Sequence, residues 1–288
     1  MSYNNFIPNV WNADLIKELQ KLLVFADGCW NVYSGNVTKK GESITFESLG
    51  KPTIHDMNRE DADGNIASAE KLEDVSLVMP VKQIAYYNVE VGDLDKKQSN
   101  VNIWGEFKRS TAEGIADQID QYVAALAKRE DCAILGATSG TPKFGGSDAI
   151  QLSKNNIMDV IDEGVTHLFE NNVPKNTALE IIIPPFAYTM LKQAYQNLDT
   201  DNSEVLTNGR VGIYNGITVK MSNNVAKDAS GNYRIMLRTK KACGFANPFT
   251  YSKAYEPDNK FTDALKGYSL YDAKVLRPKE MVIIKATK

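Results

Sequence analysis

The amino-acid sequence indicates an α+β fold in which one long helix is combined with strands that are distant from each other in the chain. From Val101 to Asp131, apolar residues recur every three or four positions, the spacing of one helix face. From Val75 to Val91, the chain instead alternates and is rich in Val, Ile and Tyr, as in a strand. Residues 147–225 combine helical patterns with a short apolar run and predict a compact α/β unit.

Residues 1–28 are predicted to form an N-terminal arm. Residues 1–11 are polar and mixed and include Pro8, which favours an extended chain. A short amphipathic helix follows, and Gly28 is its predicted end. This helix either belongs to the subunit's own core or docks on a neighbouring subunit.

Residues 29–76 have the composition of strands but too few apolar residues to build a core. Val37-Thr38 and residues 43–46 are predicted strands, joined by a turn at Lys39-Lys40-Gly41. Residues 58–65 are polar, charged and rich in turn formers. The segment is therefore either an extended loop that packs on another chain or a disordered loop.

The segment from Val75 to Val91 is predicted to be one long strand that returns from this loop, with Pro80 accommodated at an edge or a bulge. Further strands are predicted at residues 233–240, 249–256, 268–275 and 281–284. If these tail strands pair with the return strand, they hold the long helix on both sides, with the compact unit inserted between.

The long helix places its apolar residues on one stripe, which is its predicted core face. The stripe consists of Trp104, Phe107, Thr111, Ile115, Ile119, Tyr122 and Leu126. The residues predicted to face water are Glu106, Arg109, Glu113, Asp117, Asp120 and Lys128. The helix would be about 45 Å long. It is either an ordinary long core helix or a spine that fixes the shape of an elongated subunit.

The predicted compact unit follows a glycine-rich stretch at residues 136–146, which is interpreted as a flexible loop and a domain boundary. Gly136 at its start is expected to stop the long helix. Leu179 to Ile183 is a short apolar run that predicts a buried strand, and Pro184-Pro185 ends it and starts a helix. Asn215-Gly216 lies between β-forming residues and predicts a two-residue hairpin.

The composition argues against several classes of protein. Lys and Arg total 33 against 36 Asp and Glu in 288 residues, and no region is dense in basic residues, so a nucleic-acid-binding role has no support from the sequence. Cys29, Cys132 and Cys243 fit neither a disulfide framework nor zinc spacing, so a reducing cytoplasm is the simplest setting. The sequence shows no signal peptide and no run near the about 20 apolar residues of a membrane span.

No catalytic, cofactor-binding or metal site is predicted. His55 and His167 are isolated, and the chain contains no nucleophile elbow, phosphate-binding glycine loop or H-E-x-x-H motif. The stretch from Asp61 to Asn65 is similar to the start of a calcium loop. However, Ile66 stands where that loop needs glycine and Leu72 where it needs an acid.

Several short motifs, in this order, resemble the major capsid proteins of tailed double-stranded DNA bacteriophages, whose shared fold is named after phage Hong Kong ninety-seven. The opening from Phe6 to Trp11 is similar to the arm of that family. Residues 212–217, followed by Ser222-Asn-Asn-Val225, are similar to a segment of its axial domain. The tail from Phe261 to Pro278 is the most specific match and closes its peripheral domain.

The resemblance implies a four-part chain. The parts are an N-terminal arm at 1–28, an extended β-hairpin loop at 29–76, a peripheral domain with the spine helix at 77–135 and 226–288, and an inserted axial α/β domain at 136–225. In the family the extended loop lies on a neighbouring subunit. The contact candidates there are Lys39, Lys40, Arg59, Glu60, Asp61 and Asp63. The founding member cross-links lysine to asparagine, but no motif supports this chemistry here, so no cross-linking is predicted.

The implied function is structural and not enzymatic: assembly into pentamers and hexamers of an icosahedral shell that encloses double-stranded DNA without specific binding. Expected partners are further copies of the chain, a separate scaffolding protein, since the chain starts at the arm, and a portal protein, with a decoration protein as a further candidate. No cofactor and no membrane are expected, and the location is the virion after assembly in the host bacterial cytoplasm. The alternatives are an encapsulin-type bacterial compartment shell and a cytoplasmic hydrolase-like enzyme, in which a histidine would have to meet a nucleophile.

Overall fold

The chain has an α+β fold, in which a two-stranded hairpin is combined with two larger sheets whose strands come from distant parts of the sequence. The computed structural model describes residues 22–31, 43–49, 53–56, 68, 74–92, 103–196, 212–255, 257 and 262–288. The helices and strands in chain order are β1 (Ser43–Leu49), β2 (Asp74–Pro80), β3 (Gln83–Gly92), α1 (Ile103–Ala125), β4 (Ala133–Thr138), β5 (Thr141–Phe144), β6 (Ile150–Gln151), α2 (Ile157–Glu170), β7 (Leu179–Ile183), α3 (Pro185–Gln196), β8 (Ile213–Tyr214), β9 (Ile217–Met221), β10 (Tyr233–Thr239), β11 (Cys243–Tyr255), β12 (Thr262–Val275) and β13 (Met281–Thr287).

The hairpin of β1 and β2 is a two-stranded antiparallel sheet. The prediction of one strand from Val75 to Val91 is wrong, because β2 ends at Pro80, β3 begins at Gln83, and the two pair with different strands. Pro80 has no N–H to donate to a ladder. Two residues later, the Lys82 N–H donates to Asp272 Oδ2 of β12 at 3.1 Å, which directs the chain into the second sheet. The predicted turn at residues 39–41 lies outside the described residues.

The base of the hairpin contributes to a core, which the sequence did not suggest for residues 29–76. Ile44, Phe46 and Met79 are buried against Ala246 and Leu270 of β11 and β12. Alternation along β1 turns Ile44 and Phe46 to the same face of the hairpin. The hairpin is therefore fastened at its base to the subunit that carries it.

The predicted spine helix is α1, which continues as a 3₁₀ turn at Leu126–Lys128. Its 23 residues span about 34 Å, less than the about 45 Å expected from the pattern. The expectation that Asp120 faces water is wrong, because its side chain is buried beside Ile119. Gly136 does not stop the helix, since it lies inside β4.

The three-stranded sheet has the order β11-β12-β3 and is antiparallel throughout. The predicted pairing of the tail with the return strand is found for β12, in which Thr262 lies opposite Gly92 and Tyr271 opposite Gln83. The sheet packs on α1 through β3 and β12.

The eight-stranded sheet has the order β5-β4-β13-β10-β7-β9-β8, and β6 pairs with β13. β7 is buried at every residue, as its apolar run predicts, and α3 starts at Pro185 directly after it. The other tail strands do not pair with the return strand: β11 pairs with β12, whereas β10 and β13 lie in this eight-stranded sheet. β10 pairs with β7 and with β13, and β13 also pairs with β4. An apolar run such as Met281 to Ile284 suits the centre of a sheet that is covered on both faces.

Residues 133–144 form a β-hairpin and not the flexible loop expected from their glycines. β4 and β5 pair from Leu135 opposite Phe144 to Thr138 opposite Thr141. Gly136 is required by a close approach, because a Cβ there would lie 2.3 Å from the carbonyl oxygen of Gly146.

The predicted Asn-Gly hairpin is confirmed between β8 and β9. Asn215 has φ 47° and Gly216 has φ 78°, the left-handed pair that a type I′ turn requires.

Candidate assembly surface

The three-stranded sheet has one face on α1 and one face turned away from it, which we call the outer face. Successive residues of a strand point to opposite sides. Tyr87 faces the helix, where its ring meets the edge of the Phe107 ring at a centroid distance of 6.4 Å. Ile84 and Tyr86, on alternate positions of β3, therefore lie on the outer face, and both are exposed.

A row of three tyrosines crosses the outer face. Tyr251 of β11 lies opposite Tyr268 of β12, which lies opposite Tyr86 of β3. The rings of Tyr251 and Tyr268 are 5.7 Å apart between centroids. Tyr86 is 80% exposed and Tyr251 is 40% exposed. Such amphipathic rings on an open surface are typical of protein contacts.

The hairpin of β1 and β2 lies beside this row on the outer face. It covers Leu270, the neighbour of Ile84 in register, and the partly buried Tyr268 also packs against its core. Val78 of β2 is exposed. The outer face is thus divided into a part that the hairpin covers and an aromatic part where, among the described residues, Tyr86 and Tyr251 are exposed.

The N-terminal segment of residues 24–30 is held to α1 by Asp120. The carboxylate of Asp120 accepts the backbone N–H of Val24 at 2.7 Å and those of Phe25 and Ala26 at 3.1 Å each. Burial raises the pKa of Asp120 above its ordinary value, although the three N–H donors oppose that shift.

A buried arginine of the eight-stranded sheet holds the same segment. Arg238 of β10 donates through Nη2 to the carbonyl oxygen of Phe25 at 2.6 Å and through Nε to Glu180 Oε1 at 2.9 Å. Lys220 extends the network, since its Nζ lies 3.2 Å from Glu180 Oε2 and 2.9 Å from Asp27 Oδ2. The segment is therefore fixed by charged groups of both α1 and the sheet.

Solved structures resemble this fold over nearly the whole chain. One from Mycobacterium phage Che8 is 19% identical, has a TM-score of 0.72, and the match covers 91% of this chain and 90% of that chain. The capsid structure of Cyanophage P-SCSP1u is 16% identical, has a TM-score of 0.64, and covers 87% of this chain and 85% of its own. This chain has the phage capsid fold.

A virus-like particle from Pyrococcus furiosus is similar to the same fold. It is 10% identical, has a TM-score of 0.60, and the match covers 97% of this chain and 99% of that chain. No protein-family model matches the sequence, and no curated protein is significantly similar to it.

Within the capsid fold, the stripe residues of α1 occupy different surroundings. Ile115 and Ile119 are buried, and Leu126 packs against the main core. Trp104 lies in the first turn of α1, and its side chain lies outside the described part of the chain.

Tyr122 connects the spine helix of the capsid fold to β12. Its ring meets that of Tyr271 edge-on at 5.4 Å, and its hydroxyl donates to Asp272 Oδ1 at 2.9 Å. Burial and this carboxylate raise the pKa of Tyr122 to about 12. The same carboxyl group accepts the Lys82 N–H, so Asp272 fixes the point where β3 starts relative to α1.

The contact candidates of the extended loop were Lys39, Lys40, Arg59, Glu60, Asp61 and Asp63, and all six lie outside the described residues. The tyrosine row was missed by sequence reasoning. Alternation in β3 does mark Tyr86 as lying on the face opposite Tyr87, but the alignment of three tyrosines depends on the register of two strand pairs.

The two histidines have different surroundings. His55 is exposed, and the ring of His167 stacks on that of Phe144 with centroids 4.0 Å apart. In the described ranges, no group of three or more His, Cys, Asp or Glu side chains is placed to hold a metal ion. None of the helices described is both long enough and apolar enough to cross a bilayer.

Proposed function

We propose that the chain is a major capsid subunit, which assembles into pentamers and hexamers of an icosahedral shell around double-stranded DNA. The observation that carries the proposal is the phage capsid fold, shared over about nine-tenths of the chain with structures from phages. The exposed rings of Tyr86 and Tyr251 support it, because neighbouring aromatic side chains on a surface are typical of a protein–protein contact.

The tyrosine row is the surface that we propose to receive a neighbouring subunit. Aromatic side chains dominate interface energetics, since each buries about 150–250 Å² of surface. Closed rings require a contact between two different patches of neighbouring copies, and the same contact is repeated around the ring. The tyrosine row and the neighbouring hairpin of β1 and β2 are two such different patches on one subunit.

The residues between β1 and β2 are the proposed second half of that contact. Residues 50–73 connect the paired ends of the hairpin at Leu49 and Asp74. Their charged stretch from Arg59 to Asp63 would form ion pairs with a neighbour that are screened by salt. Lys39 and Lys40 remain candidates for the same neighbour.

The four-part organisation belongs to this proposal: an arm at 1–28, an extended loop at 29–76, a peripheral domain at 77–135 and 226–288, and an axial domain at 136–225. A separate scaffolding protein and a portal are the proposed partners, with a decoration protein as a further candidate. The proposed location is the virion, after assembly in the host cytoplasm.

The test is whether the full-length chain forms closed particles. We expect sedimentation velocity at micromolar concentration to show capsomers or shells, and negative-stain microscopy to show closed particles when neighbouring open reading frames are co-expressed. A species that stays monomeric at every salt concentration, with and without the co-expressed proteins, would exclude the shell function.

The second candidate is an encapsulin-type bacterial compartment shell. Similarity to the virus-like particle from Pyrococcus furiosus favours it, because that match covers 97% of this chain. Both candidates predict closed particles, so the contents decide between them. Particles produced in the natural host should contain nuclease-protected DNA if the chain is a capsid subunit, and protein cargo without DNA if it is a compartment shell.

A further inference from the structure

Three turns that are distant in the sequence meet beside the end of β10. One follows α1 at residues 128–131, one joins β10 to β11 at Lys240 and Lys241, and one joins β12 to β13 at residues 277–280. The backbone N–H of Arg277 donates to the carbonyl oxygen of Ala242 at 3.2 Å, which fastens the second turn to the third. The 3₁₀ turn that leads into the first contacts β10 directly.

The three turns concentrate positive charge on a chain whose formal net charge is -3. Their acidic residues are Glu130, Asp131 and Glu280. Their basic residues, which we call the basic turn cluster, are all exposed: Lys128, Arg129, Lys240, Lys241, Arg277 and Lys279.

Only part of this positive charge is neutralised locally. Arg129 pairs with Asp131, and Arg277 pairs with Glu280 at 2.8 Å. Among the described residues, no carboxylate lies within ion-pair distance of the four lysines of the cluster. Lys128 lies in the 3₁₀ turn that follows α1, where a cation can also interact with the carbonyl end of that turn, but Lys240 and Lys241 lie on a strand connection and have no such role.

The surface around the cluster fits a charged polymer better than a protein. The centre of a protein interface is apolar or aromatic. The large apolar side chains that are exposed elsewhere, such as Tyr86 and Ile213, have no counterpart among the described residues of these three turns. Lysine ammonium groups contact the phosphates of nucleic acid without reading sequence, and the released counterions supply the binding free energy.

We propose that the basic turn cluster binds the phosphate backbone of double-stranded DNA without sequence preference. The proposal rests on the proposed function in one respect, since a shell that encloses DNA supplies the ligand. It adds a defined contact point between the shell and the enclosed DNA. The formal net charge of -3 of the whole chain does not indicate this local positive surface.

The test measures binding of the full-length, unassembled chain to a fluorescent duplex of about 20 base pairs, by anisotropy over a range of salt concentrations. The variant Lys240→Glu/Lys241→Glu removes two phosphate contacts. The slope of log affinity against log salt should become shallower by about 1.8, and affinity at low salt should fall about tenfold or more. Lys240→Gln/Lys241→Gln should give a smaller loss.

The matched control is Lys154→Glu/Lys143→Glu, which changes the net charge by the same amount at two exposed lysines. Lys154 follows Leu152, whose N–H donates to the carbonyl oxygen of Thr287, so it lies by the end of β13 remote from the cluster. Lys143 lies opposite Gly136, three residues further along β4 than Ala133, which pairs with Val282 at the cluster end of β13. The control should alter affinity less than about twofold, since at about 3.3 Å per residue both lysines are at least about a Debye length of 10 Å from the cluster.

Equal losses in the cluster variant and the control would overturn the proposal, because net charge alone would then explain the binding. Unchanged DNA affinity with failed assembly would also overturn it, because the cluster would then be a protein contact. Particle formation is measured separately, so the two proposals can fail separately. Shells that form normally from a chain whose cluster does not bind DNA refute this site alone, whereas a chain that binds DNA through the cluster but never assembles refutes the shell function alone.

Discussion

Replacing Asp120 by alanine should loosen the attachment of the N-terminal segment and destabilise the subunit. Asp120 is 3% exposed, and its carboxylate accepts three consecutive backbone N–H groups, those of Val24, Phe25 and Ala26. Alanine leaves all three donors without an acceptor in a place where Phe25 and Ala26 are themselves buried.

The magnitude follows from those three donors. A buried N–H that loses its acceptor costs about 1–3 kcal/mol. A water molecule that enters the vacated space can satisfy part of this loss, and removal of the carboxylate also ends its own desolvation cost. We therefore expect about 3 kcal/mol of lost stability, which for a chain of this size corresponds to a fall in Tm of about 6–12 °C.

The assay is urea denaturation and thermal melting of the unassembled chain, with Glu113→Ala as the control on the same helix. Glu113 is exposed and pairs with Arg109 at 3.6 Å, one helical turn away. Such a pair contributes about 0.3–0.5 kcal/mol. If Asp120→Ala lost no more stability than Glu113→Ala, the carboxylate would not be what anchors residues 24–26.

The pH dependence of stability provides a second test of Asp120. Because burial raises the pKa of Asp120, the native state holds a proton there more tightly than the unfolded chain does. Proton binding by the group should therefore add stability as the pH falls through the raised pKa toward the ordinary value of 3.8. This added part should be absent above the raised pKa, where the hydrogen bonds to the ionised carboxylate remain. The stability difference from Asp120→Asn, which does not titrate, should widen over that range; a constant difference would show that the pKa is not raised.

Three further predictions concern folding and assembly. Ile115→Asp puts an unpaired charge into the core at a cost of at least several kcal/mol and should prevent soluble folding, whereas Glu113→Gln should be silent; equal folding of both would mean that the buried face of α1 is misassigned. Replacing residues 50–73 by Asn-Gly closes the hairpin between the paired ends of β1 and β2, so circular dichroism and melting should be unchanged while particle assembly is lost. Normal particles from that variant would mean that the loop is not a contact between subunits. Tyr86→Ser should leave Tm within about 2 °C, since exposed substitutions cost within about 0.5 kcal/mol, and should raise the concentration needed for assembly about tenfold or more; assembly at the unchanged concentration would remove the tyrosine row from the interface.

Local signals in the sequence were sufficient where one short pattern decides the structure. The period of α1, the apolar run of β7 and the Asn215-Gly216 turn each depend on neighbouring residues, and all three were predicted. The register of β12 against β3 was not predictable, although the pairing itself was, because strand order follows from topology whereas register follows from side-chain packing.

The errors share one physical cause, which is that the deciding partner lies far away in the chain. Asp120 was placed in water because it falls outside the apolar stripe, but its three donors lie 94 to 96 residues earlier. Residues 29–76 contain too few apolar residues to suggest a core, yet Ile44 and Phe46 pack against residues of β11 and β12. No short stretch of the sequence indicates the basic turn cluster, because its residues come from three distant turns that the sheets bring together.

The N-terminal segment contacts α1, both larger sheets and the hairpin. Asp120 of α1 and Arg238 of the eight-stranded sheet bind its backbone, the Trp30 N–H donates to the carbonyl oxygen of Cys243 in β11 at 2.8 Å, and the Trp30 ring lies 5.9 Å from that of Phe46 in the hairpin. An apolar core of the same volume could stabilise the subunit as well, because buried ion pairs add little net free energy. Hydrogen bonds are directional, however, and a fully satisfied buried network fixes the position of the groups that it joins. The start of the segment and the base of the hairpin are thus set relative to the tyrosine row before any neighbour binds. A surface whose parts are already held in position loses less conformational entropy on association, which would favour the repeated contacts of the proposed shell.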